Sequence, residues 1–159
     1  MQLLLLVIAL FVASCARTVG FEETYQLKVP EQKISVRLDD KLRSLEETMS
    51  AALGSETGTY KVGKALSYVF ENDPSASISI RYISSHLDHI MNPGGWFLSP
   101  VVQAEYRLTV IVETTGRKEI VEVTGKGNSY LNSYNAYQDA MEKAVILLHQ
   151  KLVALLSKG

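Results

Sequence analysis

The residue with the most distinctive chemistry in this sequence is Cys15, the only cysteine among 159 residues. A thiol can act as a nucleophile, ligate a metal or accept a covalent group, and it can also lie inert in a core. A single cysteine forms neither an intrachain disulfide nor a cysteine-rich metal site. A catalytic role is disfavoured because no folded scaffold precedes residue 15. Covalent modification and burial remain.

The stretch "GTYKVGKA", which begins at Gly58, comes close to a phosphate-binding loop. Gly58, Gly63 and Lys64 have the required spacing, but Ala65 stands where a Ser or Thr hydroxyl would hold magnesium. No hydrophobic strand runs directly into the stretch. The pattern therefore favours the first turn of a helix over a nucleotide site, and we expect no cofactor.

A short "HLDH" stretch offers imidazole and carboxylate ligands at His86, Asp88 and His89. A zinc site needs three or four convergent ligands, and the sequence has neither a second cluster nor an HExxH helix. His149 falls on the last predicted helix, where we expect it to face solvent. We predict surface polar residues here and no metal.

No arrangement of residues indicates catalysis. The paired carboxylates, such as Glu46-Glu47, are adjacent in sequence and so point in different directions. A G-x-S-x-G nucleophile motif is absent. "GKGNS", residues 125–129, resembles a flexible connection between a strand and a helix, or an anion-binding turn. We expect a protein without enzymatic activity and without catalytic residues.

The apolar segment "NPGGWFLSP" contains the only tryptophan, Trp96, beside Phe97 and Leu98. An apolar loop between two prolines suits a contact with a partner or a membrane. The same segment would also serve to cover an edge of the sheet. These three residues are the predicted partner contacts, and this alternative stays open.

The elements that must position these residues follow from hydrophobic periodicity. Alternating apolar residues predict strands over 33–38 and 75–85 and a hairpin over 101–125. Apolar residues at helical spacing predict helices over 39–54, within 57–74 and from Ser133 to Ser157. We predict an α+β two-layer sandwich with a mostly antiparallel four-stranded sheet and helices packed on one face.

Composition supports one globular domain. The chain is 47% hydrophobic and 21% charged, with a formal net charge of -1. This balance argues against nucleic-acid binding, which usually needs a basic excess. The apolar run "AVILL", residues 144–148, indicates deep burial or a contact in a homo-oligomer.

The amino terminus resembles a bacterial lipoprotein signal. An apolar run over 3–13 is followed by Val12-Ala13-Ser14-Cys15, the lipobox pattern of that family. The resemblance implies cleavage after residue 14 and acylation of Cys15, for example with palmitate. A lipidated tether over 15–32 would then lead into a domain over 33–158. Secretion without lipid and an uncleaved buried terminus are the alternatives.

The rest of the chain resembles YajG-type lipoproteins and TolB-type amino-terminal domains. The resemblance lies in "VGKALSYVF" before a strand, and in a hairpin that leads through "VTGKGNS" into "AYQDAMEKAVILLHQKL". It implies a periplasm-facing protein in envelope assembly or transport. Ala16 matches the pattern of lipoproteins sorted to the outer membrane. We expect an adaptor or scaffold that contacts envelope proteins; the alternative is a lipid or glycolipid carrier with its ligand between helices and sheet.

Overall fold

The fold comes from a computed structural model that describes residues 30–50, 57–90, 101–130 and 133–157. Ten helices and strands are seen in these ranges. In chain order they are β1 Ile34–Leu38, α1 Asp40–Arg43, β2 Glu46–Ser50, β3 Thr57–Lys61, α2 Val62–Val69, β4 Phe70–Asn72, β5 Ser79–Ile90, β6 Val101–Thr114, β7 Arg117–Tyr130 and α3 Ser133–Leu156.

The main sheet has five strands in the order β4-β1-β5-β6-β7. β1 is parallel to both of its neighbours, whereas β6 is antiparallel to both β5 and β7. β2 and β3 form a separate antiparallel pair. The α+β class is confirmed, but the predicted four-stranded, mostly antiparallel sheet is wrong. The number of strands is wrong because β4 has only three residues, too few to show alternation. The pairing is wrong because β1 is joined to β4 and β5 by connections that leave it parallel to both.

The predicted helix over 39–54 is wrong for most of its described part, residues 39–50. Only α1 is helical; Asp39 caps it by accepting a 2.7 Å hydrogen bond from the backbone N of Leu42. Leu42, Leu45 and Met49 are buried, as their spacing suggests. Leu45 lies just before β2 and Met49 lies within β2. Residues 46–50 form a strand and not a helix because β3 supplies a strand partner.

The hairpin of β6 and β7 confirms the clearest alternation in the sequence. The inward residues of β6 are buried from Ala104 to Val112. Gly116 makes the turn with a φ of 83°, a conformation that L side chains rarely adopt. The pairing continues to Tyr130, so residues 125–129 lie in β7 and the predicted flexible connection there is wrong.

Two glycines of β7 allow α3 to approach the sheet closely. A Cβ at Gly125 would lie 1.9 Å from the carbonyl oxygen of Ala140, and one at Gly127 would lie 1.9 Å from that of Ala136. Such distances are far below van der Waals contact, so only glycine fits. Small residues on both elements therefore bring the helix backbone against the strand.

The last helix, α3, supplies much of the core. At two of its positions the burial differs from the sequence-based prediction. Within 144–148, Leu147 is exposed while its neighbours are buried or partly buried. His149 is buried, contrary to the predicted solvent-facing position. Its Nε2 atom lies 3.2 Å from the carbonyl oxygen of Gln32, and its ring lies 5.8 Å from that of Phe70. The histidine thus joins the entry of the domain to α3.

Candidate functional site: the open face of the sheet

The five-stranded sheet has one face inside the core and one face outside it. Successive side chains of a strand point to opposite faces. Those of β6 that point inward, from Ala104 to Val112, belong to the same buried cluster as the apolar residues of all three described helices. The intervening side chains, from Gln103 to Glu113, therefore point away from these helices. We call this outer side the open face.

Ion pairs cross the strands near the β6–β7 turn. Glu113 accepts a 2.5 Å hydrogen bond from Arg81 of β5 and lies 3.3 Å from the Nζ atom of Lys118 of β7. The hydrogen bonds from Lys118 and Arg81 hold the pKa of the Glu113 carboxyl below its ordinary value. This acid is therefore ionised at neutral pH and neutralised by two cations.

A second group of charges lies further along the same strands. Glu105 is 3.4 Å from both Arg107 and Lys126, and Arg107 is 3.7 Å from Glu122. Cross-strand pairs of opposite charge stabilise a sheet modestly and lose strength in salt. The charged positions thus compensate one another within the open face rather than creating a field of one sign.

Between the two charged groups lie isoleucines that do not belong to the core. Ile111 of β6 is in register with Ile120 of β7, and Ile120 is 71% exposed. Ile83 occupies the β-bulge of β5, beside these positions, and is 40% exposed. We call these three residues the isoleucine strip. A small apolar centre with a charged surround is the usual anatomy of a protein–protein contact.

The free edge of the sheet next to this face is partly capped by α3. Lys143 donates to the backbone carbonyl of Lys126 at 3.0 Å, and Lys151 donates to that of Glu122. Asp139 accepts from the backbone N of Asn128 at 3.3 Å. A partner strand would have to displace these side chains, so edge pairing is disfavoured along this part of β7.

Polar groups on the inner side attach the β2–β3 pair to the rest of the domain. The buried Tyr106 hydroxyl donates to Glu47 at 3.0 Å, and the Tyr60 hydroxyl donates to Glu142 at 3.5 Å. Burial raises the pKa of both Tyr106 and Glu142. Gln138 also donates to Glu142, at 2.9 Å. These groups hold a packing contact at the margin of the core, where Glu47 and Glu142 are partly buried.

The predicted site residues fall in different places. Cys15 and the partner-contact candidates Trp96, Phe97 and Leu98 lie outside the described residues. His86 and Asp88 belong to β5 rather than to a loop, and their side chains form a 2.9 Å pair on the open face. Within the described residues no group of three His, Cys, Asp or Glu side chains is placed to hold a metal.

The stretch that resembles a phosphate-binding loop crosses from β3 into α2. Gly63 packs against the end of α1, since a Cβ there would lie 2.1 Å from the carbonyl oxygen of Arg43. Close packing against α1 thus explains why residue 63 is a glycine. A neighbouring cleft of about 310 Å³ is lined mostly by polar and charged residues, among them Arg43, Glu46, Lys61 and Lys64.

The isoleucine strip is a feature that the sequence reasoning missed. Ile111 and Ile120 stand at positions whose neighbours two residues away are polar, such as Thr109 and Glu122. An apolar residue on the polar side of an alternating strand was the available signal. This signal is visible only when the residues of each strand are divided into its two faces.

Among solved structures the chain has several distant likenesses. The chain resembles a candidate lipoprotein from Caulobacter crescentus CB15, with 10% identity, a TM-score of 0.40 and coverage of 61% of this chain and 81% of that one. It also resembles the rare lipoprotein B of Shewanella oneidensis, with 10% identity, a TM-score of 0.39 and coverage of 80% and 95%.

No protein-family model matches the chain, and no curated protein matches it significantly. Within the ranges that the structure describes, the helices are too short or too polar to cross a membrane.

Proposed function

We propose that this protein is a lipoprotein of the bacterial cell envelope that acts as a non-enzymatic adaptor or scaffold, with the open face as its contact surface. The anchor is the acylated thiol of Cys15, followed by the tether over residues 15–32. Each buried methylene of an acyl chain contributes about 0.8 kcal/mol to membrane binding. The lipobox Val12-Ala13-Ser14-Cys15 supports this anchor.

The observation that carries the proposal is the isoleucine strip, Ile83, Ile111 and Ile120, between two sets of ion pairs. Ile120 leaves most of its side chain in water, which costs free energy unless a partner covers it. The charged residues around it would fix the orientation of that partner. This arrangement suits a protein surface better than a lipid.

The alternative, a carrier with an apolar ligand between helices and sheet, has less support. α3 lies so close to β7 that even a methyl group at Gly125 or Gly127 does not fit. An acyl chain has no room at this part of the layer boundary. The cleft near Arg43 is open to solvent and has four charged side chains among its lining residues, and so suits a buried acyl chain poorly.

We place the protein on the outer membrane, facing the periplasm, on the basis of Ala16. Enzymatic activity is not part of the proposal.

The test is photo-cross-linking in native membranes from a photoreactive residue placed at Ile120. We expect light-dependent covalent adducts with protein from position 120 on the open face. The same residue placed at Val153, which is 48% exposed on α3, is the matched control. Adducts with lipid alone at position 120, or equal adducts at both positions, would contradict a protein-binding open face.

The anchor is tested separately by metabolic labelling with palmitate. Wild-type protein should incorporate label, and the Cys15→Ser variant should not, because it lacks the thiol. Equal label in both would show that Cys15 is not the acceptor. This result leaves the cross-linking test unaffected.

A further inference from the structure

We infer that the occupant of the open face is a second copy of this chain, packed face to face about a two-fold axis that runs across the strands over Ile111 and Ile120. The inference rests on the proposed function, since it names the partner of the same surface. Most homo-oligomers are closed and symmetric, and a two-fold interface uses one patch on both copies. The patch must then complement itself.

The register supplies this self-complementarity along β7. Lys118 and Glu122 lie two residues to either side of Ile120 and on the same face. A two-fold axis across the strands reverses their direction and keeps each strand opposite its own copy. Lys118 of one copy therefore meets Glu122 of the other, and the contact occurs twice.

The neighbouring strand has the same symmetry. Glu113 and Thr109 lie two residues to either side of Ile111. The same axis places the Thr109 hydroxyl of one copy opposite the Glu113 carboxylate of the other. Arg81 is in register with Ile111, but its guanidinium is drawn toward Glu113, 2.5 Å away.

An axis along the strands over β6 is disfavoured by charge, because it would place β6 against its own copy without reversal, so that Glu113 faced Glu113. Like charges in direct opposition destabilise a pairing. An axis along the strands between β6 and β7 would oppose Glu113 to Lys118, and exchanging Lys118 with Glu122 would not restore that pairing. The axis across the strands also keeps the two sheets close to aligned, and packed sheets keep their strand directions within about 30° of each other.

The apolar residues of the open face agree with this arrangement. Ile111 and Ile120 of each copy would lie against the same residues of the other, and so the exposed side chain of Ile120 would be covered. Capping of the β7 edge by Lys143 and Lys151 disfavours the competing route to a dimer, a sheet continued from copy to copy. The contact therefore falls on the face.

The first test is thiol cross-linking of the full chain in its membranes, with an Ile120→Cys variant and an added mild oxidant. Residue 120 lies near the axis, so the two introduced thiols would be neighbours and would be oxidised to a disulfide. We expect a disulfide-linked dimer of this chain. The Val153→Cys variant and the wild type are the matched controls and should stay monomeric on the same gel.

The second test uses the two charges in the Ile120→Cys background. Lys118→Glu and Glu122→Lys should each lower the dimer yield several-fold, because each places like charges across the axis. The double exchange should restore the yield. Urea denaturation of each variant checks that the domain remains folded.

The outcomes separate this inference from the proposed function. A cross-link from position 120 only to a different protein would leave the open face as an adaptor surface and overturn the second copy. Equal dimer yields from positions 120 and 153, or a double exchange no better than the single ones, would also overturn it. Absence of any protein cross-link from position 120 would contradict both.

Discussion

The two faces of the five-stranded sheet alternate along the same strands but obey different rules. On the inner face of β7, Gly125 and Gly127 leave no space for a methyl group beneath α3. On the open face, Lys126 lies between them in sequence and its ammonium reaches Glu105, 3.4 Å away. Gly125 and Gly127 thus contact the backbone of α3, whereas Lys126 between them forms an ion pair on the other face.

This difference separates what holds the fold from what is free for recognition. Close packing is sensitive to single methyl groups, whereas exposed charges contribute little and tolerate exchange. The open face can therefore vary in sequence at small cost to stability. Substitutions on the two faces test this directly, and the expected effects decrease in the order given below.

The largest effect is expected for Leu108→Ala on the inner face of β6. Leu108 is fully buried, and removal of a buried leucine side chain costs roughly 2–5 kcal/mol of unfolding free energy. Urea denaturation followed by circular dichroism measures the loss. The control is Thr109→Ala, the next residue, which should change stability by about 0.5 kcal/mol or less. Similar losses for both would mean that the open face is also covered.

A smaller loss is expected for Gly125→Ala on the inner face of β7. The new methyl group would lie 1.9 Å from the Ala140 carbonyl, so α3 must shift, and overpacking of this kind costs roughly 1–3 kcal/mol. Thr124→Ala, the preceding residue, should have almost no effect. Faster hydrogen exchange in the first half of α3 would locate the change. An unchanged midpoint for Gly125→Ala would refute the close approach.

The third prediction concerns pH at the boundary of the core. Burial raises the pKa of Glu142 in the folded state, so its contribution is most favourable below its unfolded pKa and is lost as the pH rises through the folded pKa. Glu142→Gln keeps an acceptor for Tyr60 and Gln138 without charge. The variant should therefore gain stability relative to wild type as the pH is raised from about 4 to 8.

Urea denaturation of both proteins at each pH gives the difference, which isolates residue 142 from other titrating groups. Asp73 and Glu113, for example, have lowered pKa values that act in the opposite direction but equally in both proteins. A difference that stays constant with pH would mean that Glu142 is not withdrawn from solvent.

The smallest effect is expected for Lys126→Ala on the open face. Loss of its 3.4 Å pair with Glu105 should cost about 0.5 kcal/mol or less at low salt, because the Lys126 side chain is 74% exposed and Glu105 keeps its pair with Arg107. The cost should vanish in about 1 M NaCl, where the Debye length is near 3 Å. A large loss that persists in salt would show that this part of the face is covered in the folded chain.

The elements with long, regular patterns could be predicted from the sequence. The alternation around Leu108 predicts β6 because six inward positions repeat without a break, and α3 repeats its apolar stripe over several turns. The short elements could not. Leu42, Leu45 and Met49 have helical spacing, and only the presence of β3 decides that Met49 belongs to a strand.

The prediction of a flexible connection over residues 125–129 was wrong for a physical reason. Gly125 and Gly127 have low strand propensity and suggest a loop, but here they are required by the backbone of α3 above them. That requirement depends on a helix that follows in the sequence and folds back. His149 is a similar case, since its burial depends on Gln32 at the other end of the domain.

The candidate site was less predictable than the fold. Ile120 becomes conspicuous only when the register places it beside Ile111 and outside the core. Acylation of Cys15 and contacts through Trp96 stay predictions, since both residues lie outside the described ranges.

The position of β1 between two parallel neighbours sets an order of events in folding. Its partners lie far along the chain, at Phe70–Asn72 and at Ser79–Ile80, whereas β5, β6, β7 and α3 follow one another directly. Contacts between nearby segments form faster than distant ones. We therefore expect the carboxyl-terminal half to assemble first and to act as a template. β1, which follows the predicted tether, is then inserted last. The final step of folding would therefore also determine where the tether joins the domain.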